Sequence, residues 1–190
     1  MKQLVFELMR ESDVPDWVDL YTDAEVQHNI NHRGGVVPRD EIEREVLGRL
    51  RTGWCDERMF RLRTGSGTTV GYVWIRHIDH IARSCEVLSM HHRNFRMRAG
   101  LLAVIATYEY LYDTLNMRSV VHEVYLGNRM MLAPDRLEAL VQAVSPDHCN
   151  SLGTRRTCCW WVERKPDFEA AQRARAEQFA RVRERVAGPL

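Results

Sequence analysis

Between Gln3 and Met9 the large apolar residues Leu4, Phe6 and Leu8 fall on alternate positions, a period that predicts a first strand. Arg10 to Pro15 interrupts the pattern. Ser12 or Asp13 is placed to cap a helix with Pro15 in its first turn, and Trp17, Val18, Leu20, Tyr21 and Val26 supply its apolar face. His28 to Gly35 reads as a polar loop. Pro38 to Leu50 carries Ile42, Val46 and Leu50 on one side and charges on the other, as an amphipathic helix requires. Met59 to Arg63 and Val70 to His77 read as strands, joined by the hairpin turn Thr64-Gly65-Ser66-Gly67-Thr68.

The central stretch, Ser84 to Asn128, predicts strand, basic turn, helix and second strand. Cys85, Val87 and Ser89 alternate with Glu86, Leu88 and Met90. From Ala99 the period lengthens: Leu101, Leu102, Ile105, Tyr108, Tyr112 and Leu115 recur three or four apart, and Asn116 suits the helix end. Val120, Val121, Val124 and Tyr125 then return to an extended pattern. Arg129 to Val144 is expected to be a helix interrupted near Pro134, and Ser145 to Gly153 a loop. Thr157 to Val162 is apolar on both faces and predicts a buried strand. Pro166 to Ala187 predicts an Arg/Glu-rich helix, suited to covering the sheet or to meeting another subunit in a homodimer. Strands and helices in this order imply an α/β fold, and 190 residues suit one domain spanning 1–190.

Composition narrows the function classes. Net charge is +1, with 27 basic residues interleaved among 26 acidic ones, which gives no broad reason to expect nucleic acid as a partner. No run approaches the apolar length of a spanning helix and no basic-then-apolar leader opens the chain, so a cytoplasmic protein with no membrane partner is expected. Five cysteines without a Cys-x-x-Cys pair argue for reduced thiols rather than a disulfide framework.

Three arginines, Arg93, Arg96 and Arg98, flank the start of the central helix, where the first amides have no intrahelical partner. Such a terminus, with a positive dipole end and guanidinium groups beside it, is suited to a phosphate. Arg96-Met97-Arg98-Ala99-Gly100-Leu101 resembles the pyrophosphate turn Arg/Gln-x-x-Gly-x-Gly/Ala of the GNAT acyltransferase superfamily. Ala99 stands on its first glycine and Leu101 on its last small residue. Asn128 stands about where that family has an Asn after the following strand. Met9-Arg10, Asp13-x-Pro15, Leu20 and Thr22-Asp23-Ala24-Glu25-Val26 are similar to the opening of the branch that acetylates ribosomal-protein termini and related small amines.

The resemblance implies a splayed mixed sheet, acetyl-CoA or another acyl-CoA as co-substrate, and a small-molecule amine or a peptide N-terminus as acceptor. It places the donor on Ser89, Met90, His91, Arg96, Met97, Arg98, Ala99, Gly100, Leu101 and Asn128. A backbone N–H around Ser89 to His91 would hold the thioester oxygen. It puts the His28 to Gly35 segment over the acceptor end. Glu86 is the first candidate for the base, with His91, His92 and His122 as competitors because imidazole titrates near neutrality. Many relatives have a Tyr about seven residues past the Asn, where this chain has Asp135, and Tyr125 is the substitute for acid work. An acyl carrier protein or aminoacyl ester as donor, or a non-catalytic binding domain, are the alternatives. His77, His80, His91 and His92 lie beside one hairpin and could converge on a metal, but no dense ligand spacing supports a metal site.

Overall fold

The segments of period two become strands of one sheet, which has seven strands among the described residues, and the segments of longer period become the helices on its two faces. The computed structural model of the chain describes residues 4–30, 35–53, 55–96, 98–126, 128 and 139–186. Strand β1 (Leu4–Leu8) leads through a short 3₁₀ turn to α1 (Val14–Tyr21), α2 (Ala24–Ile30) and α3 (Arg39–Thr52). Then follow β2 (Arg58–Thr64), β3 (Thr69–Asp79), β4 (Ser84–His91), α4 (Arg98–Glu109) and β5 (Ser119–Tyr125). The chain returns through β6 (Ala143–Ser151) and β7 (Thr154–Arg164) and closes on α5 (Lys165–Val186). Spatial order is β1-β2-β3-β4-β5-β7-β6. Among the described strands only β4 and β5 run parallel, as a strand–helix–strand crossover demands; the other neighbours are antiparallel.

The period-two alternation sorts side chains to two cores. Val73 and Ile75 of β3, Cys85 of β4 and Val120 of β5 pack against Ala103 and Tyr108 of α4, Leu111 of the turn that follows it and Phe168 of α5. Met59, Tyr72 and Met90 face the other way, under Trp17, Val18, Val26, Ile42 and Val46 of α1, α2 and α3. Truncating a fully buried residue such as Leu62 to Ala removes contacts that nothing else fills, at a cost of about 2–5 kcal/mol.

Several expectations are corrected. The helix expected to run through Val26 breaks at Asp23, whose Oδ1 accepts the amides of Glu25 and Val26 at 3.1 Å and so starts a new helix, α2. Asp13 does not cap α1 with its side chain. Its carboxylate instead accepts the Arg10 amide at 2.8 Å and the Arg61 guanidinium at 2.7 Å. Ser145 to Gly153, expected as loop, is mostly β6 and its hairpin turn. Among the described residues this edge strand pairs with β7 alone, and most of its side chains are exposed, so no apolar alternation marks it, and Pro146 at its bulge reads as a breaker. The helix expected from Arg129 falls largely on residues outside those described.

The central helix does not end as a simple α-helix. Residues Tyr110–Thr114 form a π turn, in which Leu115 N–H donates to the Tyr110 carbonyl at 3.0 Å. The wider turn lets both Leu111 and Tyr112 point inward. Asn116 then stops the helix at φ 56°, and its main-chain oxygen accepts from Arg83 Nε at 2.6 Å. That contact ties the start of β4 to the approach to β5.

Candidate active site: a wedge between β4 and β5

The two parallel strands are paired only at Ser84/Ser119, Cys85/Val120 and Glu86/Val121. Beyond that point β4 continues to His91 on β3 alone, and β5 to Tyr125 on β7 alone. The sheet therefore opens into a wedge with Glu86 and Val121 at its apex.

Main-chain directions inside the wedge follow from one hydrogen bond. His92 N–H donates to the Val70 carbonyl at 3.0 Å, so Val70 and His92 are a bonded pair of the antiparallel ladder. Bonded and non-bonded pairs alternate. Met90, Leu88 and Glu86 consequently turn their main-chain groups to β3, whereas His91 and Ser89 turn theirs into the wedge and Val87, whose N–H closes the pair at the apex, turns its carbonyl there. The His91 carbonyl agrees, since it accepts from Arg96 Nε at 3.1 Å rather than from β3.

Arg96 links three elements. Besides the His91 carbonyl, its guanidinium donates to Asp23 Oδ1 at 3.3 Å and to Glu25, and the side chain is only 14% exposed. Burial opposes the charge on Asp23, but the Val26 amide and Arg96 outweigh it and hold its carboxyl below the usual value. In this arrangement Arg96 is a strut between the turn after β4 and the start of α2. Helix α4 begins at Arg98, so the backbone of Arg98, Ala99, Gly100 and Leu101 forms its first turn at the wide mouth of the wedge. Their side chains, and all of Met97, lie outside the described residues. Asn128 is buried, and its N–H donates to the Tyr125 carbonyl at 3.0 Å.

The candidate catalytic groups do not converge on one point. Glu86 sits at the apex on the α1–α3 face, where Arg76 Nη2 donates to it at 2.9 Å and His77 Nδ1 lies 3.1 Å away. Tyr125, also on that face, lies four residues beyond the apex on β5, or ~13 Å at strand rise. It is buried beneath the Arg156 guanidinium, 5.0 Å from its ring centroid, and Arg156 also donates to the His28 carbonyl at 3.1 Å. His91 shares the opposite face with Val87 and Cys85. Its Nε2 is buried with no hydrogen-bond partner, and burial, with Arg96 and His92 nearby, lowers the imidazole to about 4, so it is neutral near pH 7. His92 Nε2 lies 3.3 Å from Asp16 Oδ2, which also accepts from the Tyr72 hydroxyl at 2.7 Å. His122 is a buried member of a network under α4 and α5, with its Nε2 2.7 Å from the Tyr108 hydroxyl and its ring 4.5 Å from that of Trp161.

Residues 3–133 match the model of the acetyltransferase (GNAT) domain family. The chain belongs to the GNAT acetyltransferase family. Spermidine N-acetyltransferase from Vibrio cholerae, solved with CoA and spermine, superposes on this GNAT domain with a TM-score of 0.70 at 14% identity, over 87% of this chain and 98% of that one. A chimera of the Vibrio cholerae enzyme with hSSAT gives 0.71 at 15% identity, over 88% and 99%. Comparison with curated proteins returns no match. The family assignment makes this an enzyme of the N-acyltransferase type that draws on acyl-CoA, while neither match carries the ribosomal-protein branch.

Two features of this GNAT domain escaped the sequence reading. Gly71 lies opposite His91, and a Cβ there would stand 2.1 Å from the Met90 carbonyl oxygen and 2.9 Å from His91 Cδ2. An interior glycine in a strand was the available signal for such close approach. The pairing of Arg96 with Asp23 and Glu25, remote in sequence, carried no signal. The four histidines near the β3–β4 hairpin form no ligand cluster. Among the described residues the group with donor atoms close enough for one ion is Glu123, His148 and Cys158.

Proposed function

We propose that the protein transfers an acyl group from acyl-CoA to a primary amine, by direct attack while both substrates are bound. The observation that carries this reading is the wedge, which leaves main-chain donors of β4 unpaired beside the start of α4. The pyrophosphate would rest on the α4 amides with Arg98 beside them. The donor arm would run down the wedge along His91, Ser89 and Val87, and bring the thioester toward the apex.

In that pose one inward N–H of β4 receives the thioester carbonyl oxygen as charge develops on it. The amine nitrogen attacks the carbonyl carbon, the C–S bond breaks, and the electron pair leaves on sulfur. Glu86, on the acceptor face at the apex, is assigned to take the proton lost by the ammonium, directly or through a water. The coenzyme A thiolate is stable enough to depart unaided, so Tyr125, ~13 Å further along its strand, is assigned to the acceptor wall rather than to the sulfur. Neutral His91 backs the donor arm and presents its main-chain N–H.

The acceptor is a small polyamine-like amine or a peptide N-terminus. The test is release of free thiol from acetyl-CoA against a panel of both. Amine-dependent release supports the reading; donor binding without release from any amine would favour a binding domain, and a thermal shift with an acylated carrier protein but not with acyl-CoA would move the donor assignment.

A further inference from the structure

Strands β5, β7 and β6 place a carboxylate, a thiol and an imidazole together on one face, next to Tyr125 and distant from Glu86 at the apex. Glu123 lies opposite Trp160, and Tyr125 opposite Cys158, so Glu123 and Cys158 are diagonal neighbours on the same face of the β5–β7 pair. His148 comes from the edge strand. Between Ser145 and Cys149 the β6–β7 register shifts, with Asp147 at φ 50°, and this bulge re-aims the His148 ring to within 4.7 Å of the Trp160 ring, edge-on. One donor atom from each of Glu123, His148 and Cys158 lies within 4.8 Å of the other two.

We propose that Glu123, His148 and Cys158 bind a divalent metal ion of the zinc type. Oxygen, nitrogen and sulfur donors suit a borderline-soft ion that accepts four-coordinate geometry, and they disfavour magnesium or calcium, which take oxygen alone. Ligands around tetrahedral zinc stand ~3.3–3.8 Å apart, so the present spacing needs only a small inward movement. Such a movement falls to His148, which is exposed on an edge strand, while Cys158 is fixed in the core. Binding replaces the thiol proton of Cys158, which passes to solvent, by a metal–sulfur bond. The ion would pin the edge strand β6 across β7 to β5, on the face that carries Tyr125. The proposal does not rest on the acyl-transfer reading.

The test uses tag-free full-length protein, stripped with a chelator and titrated with zinc against a chromogenic competitor, and with cobalt to read the thiolate-to-metal charge-transfer band. One zinc per chain is expected, together with that band. Cys158→Ser should abolish the band, and His148→Ala and Glu123→Gln should each weaken zinc binding by about 10-fold or more. His148 is exposed, so its variant keeps the test valid if the buried cysteine variant fails to fold. Zinc binding that is absent in the wild type, or unchanged in His148→Ala with the cobalt band retained, would overturn the site.

Discussion

Gly71 and His91 face each other across the β3–β4 ladder, and the missing side chain of the first makes the room that the imidazole of the second occupies. The pair lies at the wide mouth of the wedge, where β4 has left β5 and is held by β3 alone. Its geometry therefore sets how the inward amides of β4 are presented.

Gly71→Ala should be among the more damaging single changes in the sheet. The added methyl meets a backbone carbonyl oxygen at 2.1 Å, which cannot rotate away as a side chain can. Overpacking of this kind costs about 1–3 kcal/mol, with the upper end expected here. Urea unfolding of the variant and wild type checks it, and an unchanged midpoint would mean that β3 and β4 separate freely.

The neutral, half-buried His91, with its Nε2 shut off from solvent, predicts acid sensitivity. Its folded value of about 4 lies below the ordinary imidazole value of about 6.5, so between the two the unfolded chain binds more protons than the folded one. Stability contributed in this way is present above 6.5 and falls as pH drops toward about 4, by up to roughly 3 kcal/mol. His91→Gln should flatten that part of the profile in denaturant melts taken across the window.

The two flanking arginines should separate by role. Arg98→Ala should raise the KM for acetyl-CoA by about 5- to 10-fold with kcat little changed, as loss of uniform binding to a phosphate does. Arg96→Ala removes the bonds to His91, Asp23 and Glu25, so its signature is faster amide exchange in α2 as well as weaker donor binding. Identical behaviour of both variants would contradict the strut.

Glu86→Gln keeps the shape of the side chain and removes its basicity. As the proposed base, its loss should lower kcat by about 10²-fold and leave the affinity for acetyl-CoA unchanged. Tyr125→Phe should affect the KM for the amine more than kcat. The reverse pattern would transfer the proton chemistry from the apex to the mouth.

The central unit was legible because its periods are strong: the alternation from Cys85 and the apolar stripe from Leu101 each specify one element, and their order specifies a parallel pair. The divergence of that pair was not legible from periodicity. It depends on where hydrogen bonding stops, and nothing in Val87 to His91 or His122 to Tyr125 differs in pattern from a strand paired on both sides; only the family resemblance implied it. β6 was missed because an exposed edge strand with Ser145, Pro146 and Asp147 has no apolar alternation to reveal it. The double engagement of Glu86 by Arg76 and His77 was equally hidden, since it arises from cross-strand register, which spacing alone does not determine.

Amide hydrogen exchange with and without saturating acetyl-CoA tests the wedge most directly. The inward amides of Ser89 and His91 should gain protection on binding, whereas those of Leu88 and Met90, bonded to β3, and of Val87, bonded to β5 at the apex, should change little. Unchanged exchange at Ser89 and His91 in protein shown to be saturated with donor would contradict the claim that β4 presents its main chain to acyl-CoA.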